Sequence, residues 1–119
     1  MKLTLVPSVA GLTHVQCDGE ITQHALWEND NPLDKVLGDA GYAGKVLVDL
    51  EKVAYIDSAG VGWFIGCHKQ FREAGGMLVL HSIPVQVNQI FQLLQMHKVL
   101  HLAKDAAAAL ALAQGAPHE

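Results

Sequence analysis

The spacing of apolar residues changes along the chain, and the changes mark its elements. Residues 2–6 alternate weakly between apolar and polar, which predicts a first strand stopped at Pro7. LTHVQC at 12–17 alternates more cleanly and predicts a half-buried strand. Asp18-Gly19 before Glu20-Ile21 reads as a turn or bulge. The region 22–44 is less periodic. Within it, Asn29-Asp30-Asn31-Pro32 has helix-start chemistry, and Leu33, Val36 and Leu37 form a short apolar stripe that Gly38 and Gly41 end.

From residue 45 the pattern sharpens. KVLVDL at 45–50 is a near-continuous branched run, as expected of a strand covered on both faces, and VAYI at 53–56 is a second such piece. Residues 58–74 read as a helix stopped by Gly75-Gly76. MLVLH at 77–81 is another buried strand. Pro84 opens a helix expected to reach about Met96, with Val87, Ile90, Phe91 and Leu94 on one face. Residues 99–102 suit a short strand, and Asp105 caps an Ala-rich helix to about Gln114, followed by a frayed tail. Strands alternating with helices predict an α/β fold, a mixed and mainly parallel sheet of four to five strands with helices packed against it. The first two strands, with no helix between them, are expected to pair antiparallel at one edge.

Composition narrows what such a fold can do. The 119 residues suit a single domain over 1–119, and an apolar content of 50% suffices for a core without metal or disulfide support. The net charge is −4 and no basic run occurs, which argues against a nucleic-acid surface. No apolar run is long enough to span a membrane. The N-terminus reads as a strand and not as a signal peptide, so a cytoplasmic location with reduced thiols is expected for Cys17 and Cys67, which read as small buried residues. Of seven histidines, His97 and His101 make the one helical i,i+4 spacing, but they bracket an apparent strand entry. No metal site and no cofactor are therefore expected.

Chemistry concentrates in YIDSAGVGWF, residues 55–64, where a buried strand turns into a helix. Ser58 stands where an N-cap belongs, its hydroxyl placed to accept from the first turn. Gly60 and Gly62 leave that turn uncrowded, so its backbone can approach another molecule. The plain alternative is a capped helix whose glycines bring it close to the sheet. At about 100° per residue, Val61, Phe64, Ile65, His68 and Phe71 share the sheet-facing side. Trp63 then falls with Gly66 and Gln70 on the opposite side, as an interface anchor or under a neighbouring helix.

Residues 46–82, with their Asp-Leu strand end, Asp-Ser-x-Gly-Val-Gly, helix, Gly-Gly and further strand, resemble the central signature of the STAS domain family of anti-sigma factor antagonists. Residues 84–110 resemble that family's closing helix, Lys-Val-Leu strand and terminal helix. The first forty residues match by layout, with Gly19-Glu20-Ile21 at the position of the family's Gly-acid-hydrophobe triplet. The resemblance implies a switch and not an enzyme. Ser58 matches the serine phosphorylated by a partner kinase that also sequesters a sigma factor; the unphosphorylated form binds that kinase, and a phosphatase resets it. Asp57, Ser58, Ala59, Gly60, Gly62 and Trp63 are the implied partner-binding residues. Asp57 either sharpens repulsion after phosphorylation or helps to cap the turn, and the two roles are compatible.

Trp63, the Gln95-Met96-His97 stretch in place of a glycine turn, and Asn88 in place of a basic residue depart from the family pattern. The alternative is a non-phosphorylated scaffold or an accessory subunit of a signalling or transport complex. Catalysis is disfavoured, because no G-x-S-x-G elbow surrounds Ser58, and no phosphate-cradling P-loop run occurs. A homodimer through Trp63 or the sheet edge remains an open expectation.

Overall fold

The computed structural model describes residues 1–9, 12–28, 32–38 and 41–115. Its strands are β1 (Lys2–Val9), β2 (Leu12–Ile21), β3 (Lys45–Ile56), β4 (Met77–His81) and β5 (His101–Ala103), and they form one sheet in the order β1-β2-β3-β4-β5. β1 pairs antiparallel with β2, and the later pairings are parallel. This is the mixed, mainly parallel sheet that the strand–helix alternation predicts, with β1 as the antiparallel edge. β1 runs through Pro7, with an irregular register between Val6 and Val9. An edge strand tolerates a residue that lacks an N–H.

The helices are α1 (Gln23–Glu28), α2 (Pro32–Leu37), α3 (Ser58–Ala74), α4 (Val85–Leu93) and α5 (Ala106–Ala113). They divide between the two faces of the sheet. Val46, Val48 and Leu50 of β3 pack with Val61, Phe64, Cys67 and Phe71 of α3 and with Val87 and Phe91 of α4. Leu47 and Val79 point the other way and meet Ala109 and Ala113 of α5. A strand with alternate side chains buried on opposite faces must read as continuously apolar, and KVLVDL does.

The sequence splits β3 into 45–50 and 53–56, but it is one strand of 12 residues. Between Gln16↔Asp49 and Asp18↔Lys52, and again between Gly19↔Val53 and Glu20↔Tyr55, β3 advances one residue more than β2. Each extra residue flips the alternation. The inward set therefore runs Leu50, Val53, Ile56 in steps of three, all buried. Gly19, at φ +92°, lies in this bulged segment as the Asp18-Gly19 signal predicted.

α3 stops as expected, with Gly75 at φ +86° and the Gly76 N–H donating to the Phe71 carbonyl at 2.7 Å. Asp105 caps α5, its Oδ1 accepting from the Ala108 N–H at 2.8 Å. α4 is shorter than its periodicity suggested. Gln95 takes a left-handed conformation at φ +56°, which ends the helix, and a 3-10 turn at Met96–Lys98 buries Met96. Gln95 thus adopts the backbone geometry for which a glycine turn is usual. The Asn29-Asp30-Asn31 helix start and the tail at 116–119 lie outside the described residues.

α1 was not foreseen; it is a turn and a half long with no apolar repeat, and Thr22 Oγ1 accepts from the Ala25 N–H at 3.2 Å. Cys17 and Cys67 are buried and unbridged, and burial pushes both thiols up to about 12. Among the described residues no helix is long and apolar enough to cross a membrane.

Candidate functional site

The bulged end of β3 delivers the chain directly into α3. Asp57 is extended at φ −107° and is the N-cap of that helix. Its Oδ1 accepts from the Gly60 N–H at 2.9 Å, and its Oδ2 accepts from the Gln23 N–H at 3.0 Å. One carboxylate therefore ties the first turn of α3 to the start of α1. Slight burial raises the Asp57 pKa, but the backbone donors, Gln23 first and then Gly60 and Ala59, outweigh it and hold the carboxyl below its ordinary value.

This corrects the reading of Ser58 as the cap. Asp and Ser cap about equally well, so the Asp-Ser pair allowed two helix registers, and the sequence alone did not separate them. Ser58 is the first residue of the helix and its side chain is exposed. The hydroxyl does not carry the cap, which belongs to Asp57.

The two glycines of the motif have different roles. Gly60 is buried, and a Cβ there would overlap the Ile21 carbonyl oxygen and the Ile56 side chain. Its openness faces its own protein, so Gly60 lets α3 sit close on the sheet. Gly62 is exposed, and a Cβ there would meet nothing within 4 Å. Ser58, Gly62 and Gly66 are all exposed and lie four residues apart, so the outer face of the first two turns is nearly free of side-chain bulk. Ala59 is half-buried beside it.

The helical phase leaves Trp63 either as an interface anchor or under a neighbouring helix. It is half-buried, packed against the core with its ring 4.9 Å from that of Phe64, and its Nε1 is buried without a hydrogen-bond partner. The buried residues of α3 are Gly60, Val61, Phe64, Cys67 and Phe71. Their centre is rotated by about 50° from the face predicted with Ile65 and His68. Counting Gly60 and Cys67 as core residues moves Trp63 from the outer side to the flank.

The predicted motif thus divides into an exposed patch of Ser58 and Gly62, with Asp57 and Ala59 partly exposed, and a packing pair of Gly60 and Trp63. His97 and His101 fall in the 3-10 turn and in β5, so they make no helical pair. A different histidine pair, His14 and His81, does come together, on the face of the sheet away from α3. No spacing in the sequence signals it, because the two histidines lie on separate strands, β2 and β4, that only the order of the sheet brings near each other.

The model of the STAS domain matches residues 5–109 of the chain. The anti-sigma-B factor antagonist of Listeria monocytogenes serovar 1/2a is 29% identical over 55 residues, 46% of this chain and 48% of that protein, so the chain's match spans about half the length of this curated relative. The crystal structure of a putative anti-sigma factor antagonist from Thermotoga maritima superposes with a TM-score of 0.73 at 18% identity, covering 95% of this chain and 93% of that one. The Bacillus cell fate determinant SpoIIAA in its phosphorylated form superposes with a TM-score of 0.62 at 17% identity, covering 93% and 99%. At these identities the solved structures establish likeness of fold.

Proposed function

We propose that this chain, which belongs to the STAS domain family, is an anti-sigma factor antagonist whose binding to an anti-sigma factor is switched off by phosphorylation of Ser58. The partner is an anti-sigma factor with serine kinase activity, and a phosphatase resets the switch. The chain acts as one cytoplasmic domain over residues 1–119, without catalysis of its own. The observation that carries this reading is the division of labour at the start of α3: Asp57 holds the cap, and Ser58 is exposed on a smooth helix face.

That division makes Ser58 suited to modification. A phosphate adds roughly −1.5 to −2 charge and three acceptor oxygens. At the first position of a helix the macrodipole offsets this by about 0.3–1 kcal/mol, and no cap is lost because the cap belongs to Asp57. The fold keeps its stability while its surface gains negative charge and bulk. A partner packed over Ser58 and Gly62 must desolvate the phosphate and face the Asp57 carboxylate as well. A penalty of about 2.7–4 kcal/mol weakens binding roughly 100- to 1,000-fold, enough for a switch.

The test is capture from the lysate of the native organism with wild-type and Ser58→Glu baits. Wild type is expected to retain a protein with an ATP-binding kinase domain, and the Glu variant to lose it. Equal recovery of the same partners by both baits would favour the scaffold reading.

A further inference from the structure

We propose that His14, Asp49 and His81 form a binding site for a divalent ion of the zinc class, on the α5 face of the sheet. The three residues come from β2, β3 and β4, which are neighbours in the sheet. Their donor atoms lie within 4.8 Å of one another. His14 and His81 stand on strands two spacings apart, about 9.6 Å, yet their rings reach over β3 until the two Nε2 atoms are 2.9 Å apart. Asp49, paired in register with His81, supplies the carboxylate beneath them.

The side chains are held for this arrangement. His81 is 1% exposed, and its Nδ1 is 2.8 Å from the Ser82 hydroxyl. With Nδ1–H donating to Ser82, Nε2 is left as a lone-pair donor facing the cluster, which is how a metal-binding imidazole is oriented by its outer partner. Ser82 itself is left-handed at φ +55°, an unusual backbone for serine. Asp49 accepts from the Glu51 N–H at 2.8 Å through Oδ1, which orients the carboxylate and leaves Oδ2 outside that bond.

Two imidazoles and one carboxylate are a borderline set that suits Zn²⁺ and its neighbours better than Mg²⁺ or Ca²⁺. Donors about 2.0–2.2 Å from a tetrahedral ion stand roughly 3.3–3.5 Å apart. Binding therefore widens the imidazole pair slightly and draws Asp49 inward by side-chain rotation. His14 must present Nε2 unprotonated, exchanging its hydrogen bond with His81 for the metal. Asp105, close enough to act electrostatically on His81, gives with Asp49 two negative charges against the dication. His14 and Asp49 are half-buried, so the fourth position opens to solvent. The site lies seven residues back along β3 from Ile56, roughly 20 Å, and on the opposite face from α3. It does not depend on the role of Ser58.

The test titrates the untagged, chelator-stripped full chain with Co²⁺ and then Zn²⁺, reading the visible absorption of four-coordinate Co²⁺. Wild type is expected to bind one Co²⁺, to release it to Zn²⁺ and to melt at a higher temperature with Zn²⁺. His14→Gln and Asp49→Asn, both at half-buried positions and checked for folding by circular dichroism, are expected to lose at least about 100-fold in affinity. Ser82→Ala, which removes only the outer partner, should lose about 10- to 100-fold. Two results overturn the proposal. One is the absence of a four-coordinate spectrum in wild type. The other is unchanged binding in a folded His14→Gln or Asp49→Asn variant, which would place the ion on other histidines.

Discussion

The same substitution at two glycines of one helical turn should have opposite effects. Gly60→Ala puts a methyl group into the Ile21 carbonyl oxygen and the Ile56 side chain. A backbone carbonyl in β2 cannot rotate away, so α3 must lift from the sheet. Overpacking of this kind costs about 1–3 kcal/mol, and the unyielding obstacle points to the upper end. The gain in helix propensity, about 1 kcal/mol, offsets only part of it. Gly62→Ala meets nothing within 4 Å and keeps the propensity gain whole. The variants should therefore differ by about 2–3 kcal/mol, with Gly62→Ala above wild type and Gly60→Ala below it. At about 4 °C per kcal/mol for a chain of this size, their melting temperatures separate by roughly 8–12 °C. Urea and thermal melts measure this directly. A Gly60→Ala protein as stable as wild type, or a Gly62→Ala protein destabilised alongside it, would refute the assignment of Gly60 to packing and Gly62 to the open surface.

Asp57→Ala removes the cap of α3 and the bond to Gln23, and is expected to cost about 1–2 kcal/mol in a chemical melt. Because the folded Asp57 pKa is depressed, its contribution is present above the unfolded pKa and fades as pH falls through the lower folded value. The gap between wild type and Asp57→Asn should accordingly close on acidification below about pH 4; a gap that widens there contradicts the sign. Cys17 and Cys67, with thiols at about 12, should resist a maleimide at pH 8 in the native state and react fully once unfolded. Rapid native labelling of either would show that it is not buried.

Most of the fold was readable because its signals are strong and local. The short apolar runs of β3 and β4, each entered from a glycine, read as strands buried on both faces, and Gly75 and Asp105 end and begin helices by backbone and side-chain chemistry that the sequence states outright. Several misses share a cause: they depend on what lies across space. The bulges of β3 are set by its pairing with β2, so Leu50, Val53 and Ile56 break the expected alternation. Gly60 looks identical to Gly62 until Ile21 is placed beside it. The rotation of the α3 face follows from treating Gly60 and Cys67 as core residues, and it takes Trp63 from the surface to the flank. His14, Asp49 and His81 converge only through strand order, which no spacing along the chain encodes.

The central claim is that charge at Ser58 gates a partner without disturbing the fold. The direct measurement prepares the chain with phosphoserine at position 58, melts it beside the unmodified chain, and titrates both against the captured partner by calorimetry. The account predicts melting temperatures that agree closely and a Kd raised at least about 100-fold by the phosphate. Equal affinities would contradict the gate. A large loss of thermal stability in the phosphorylated chain would contradict the assignment of the cap to Asp57.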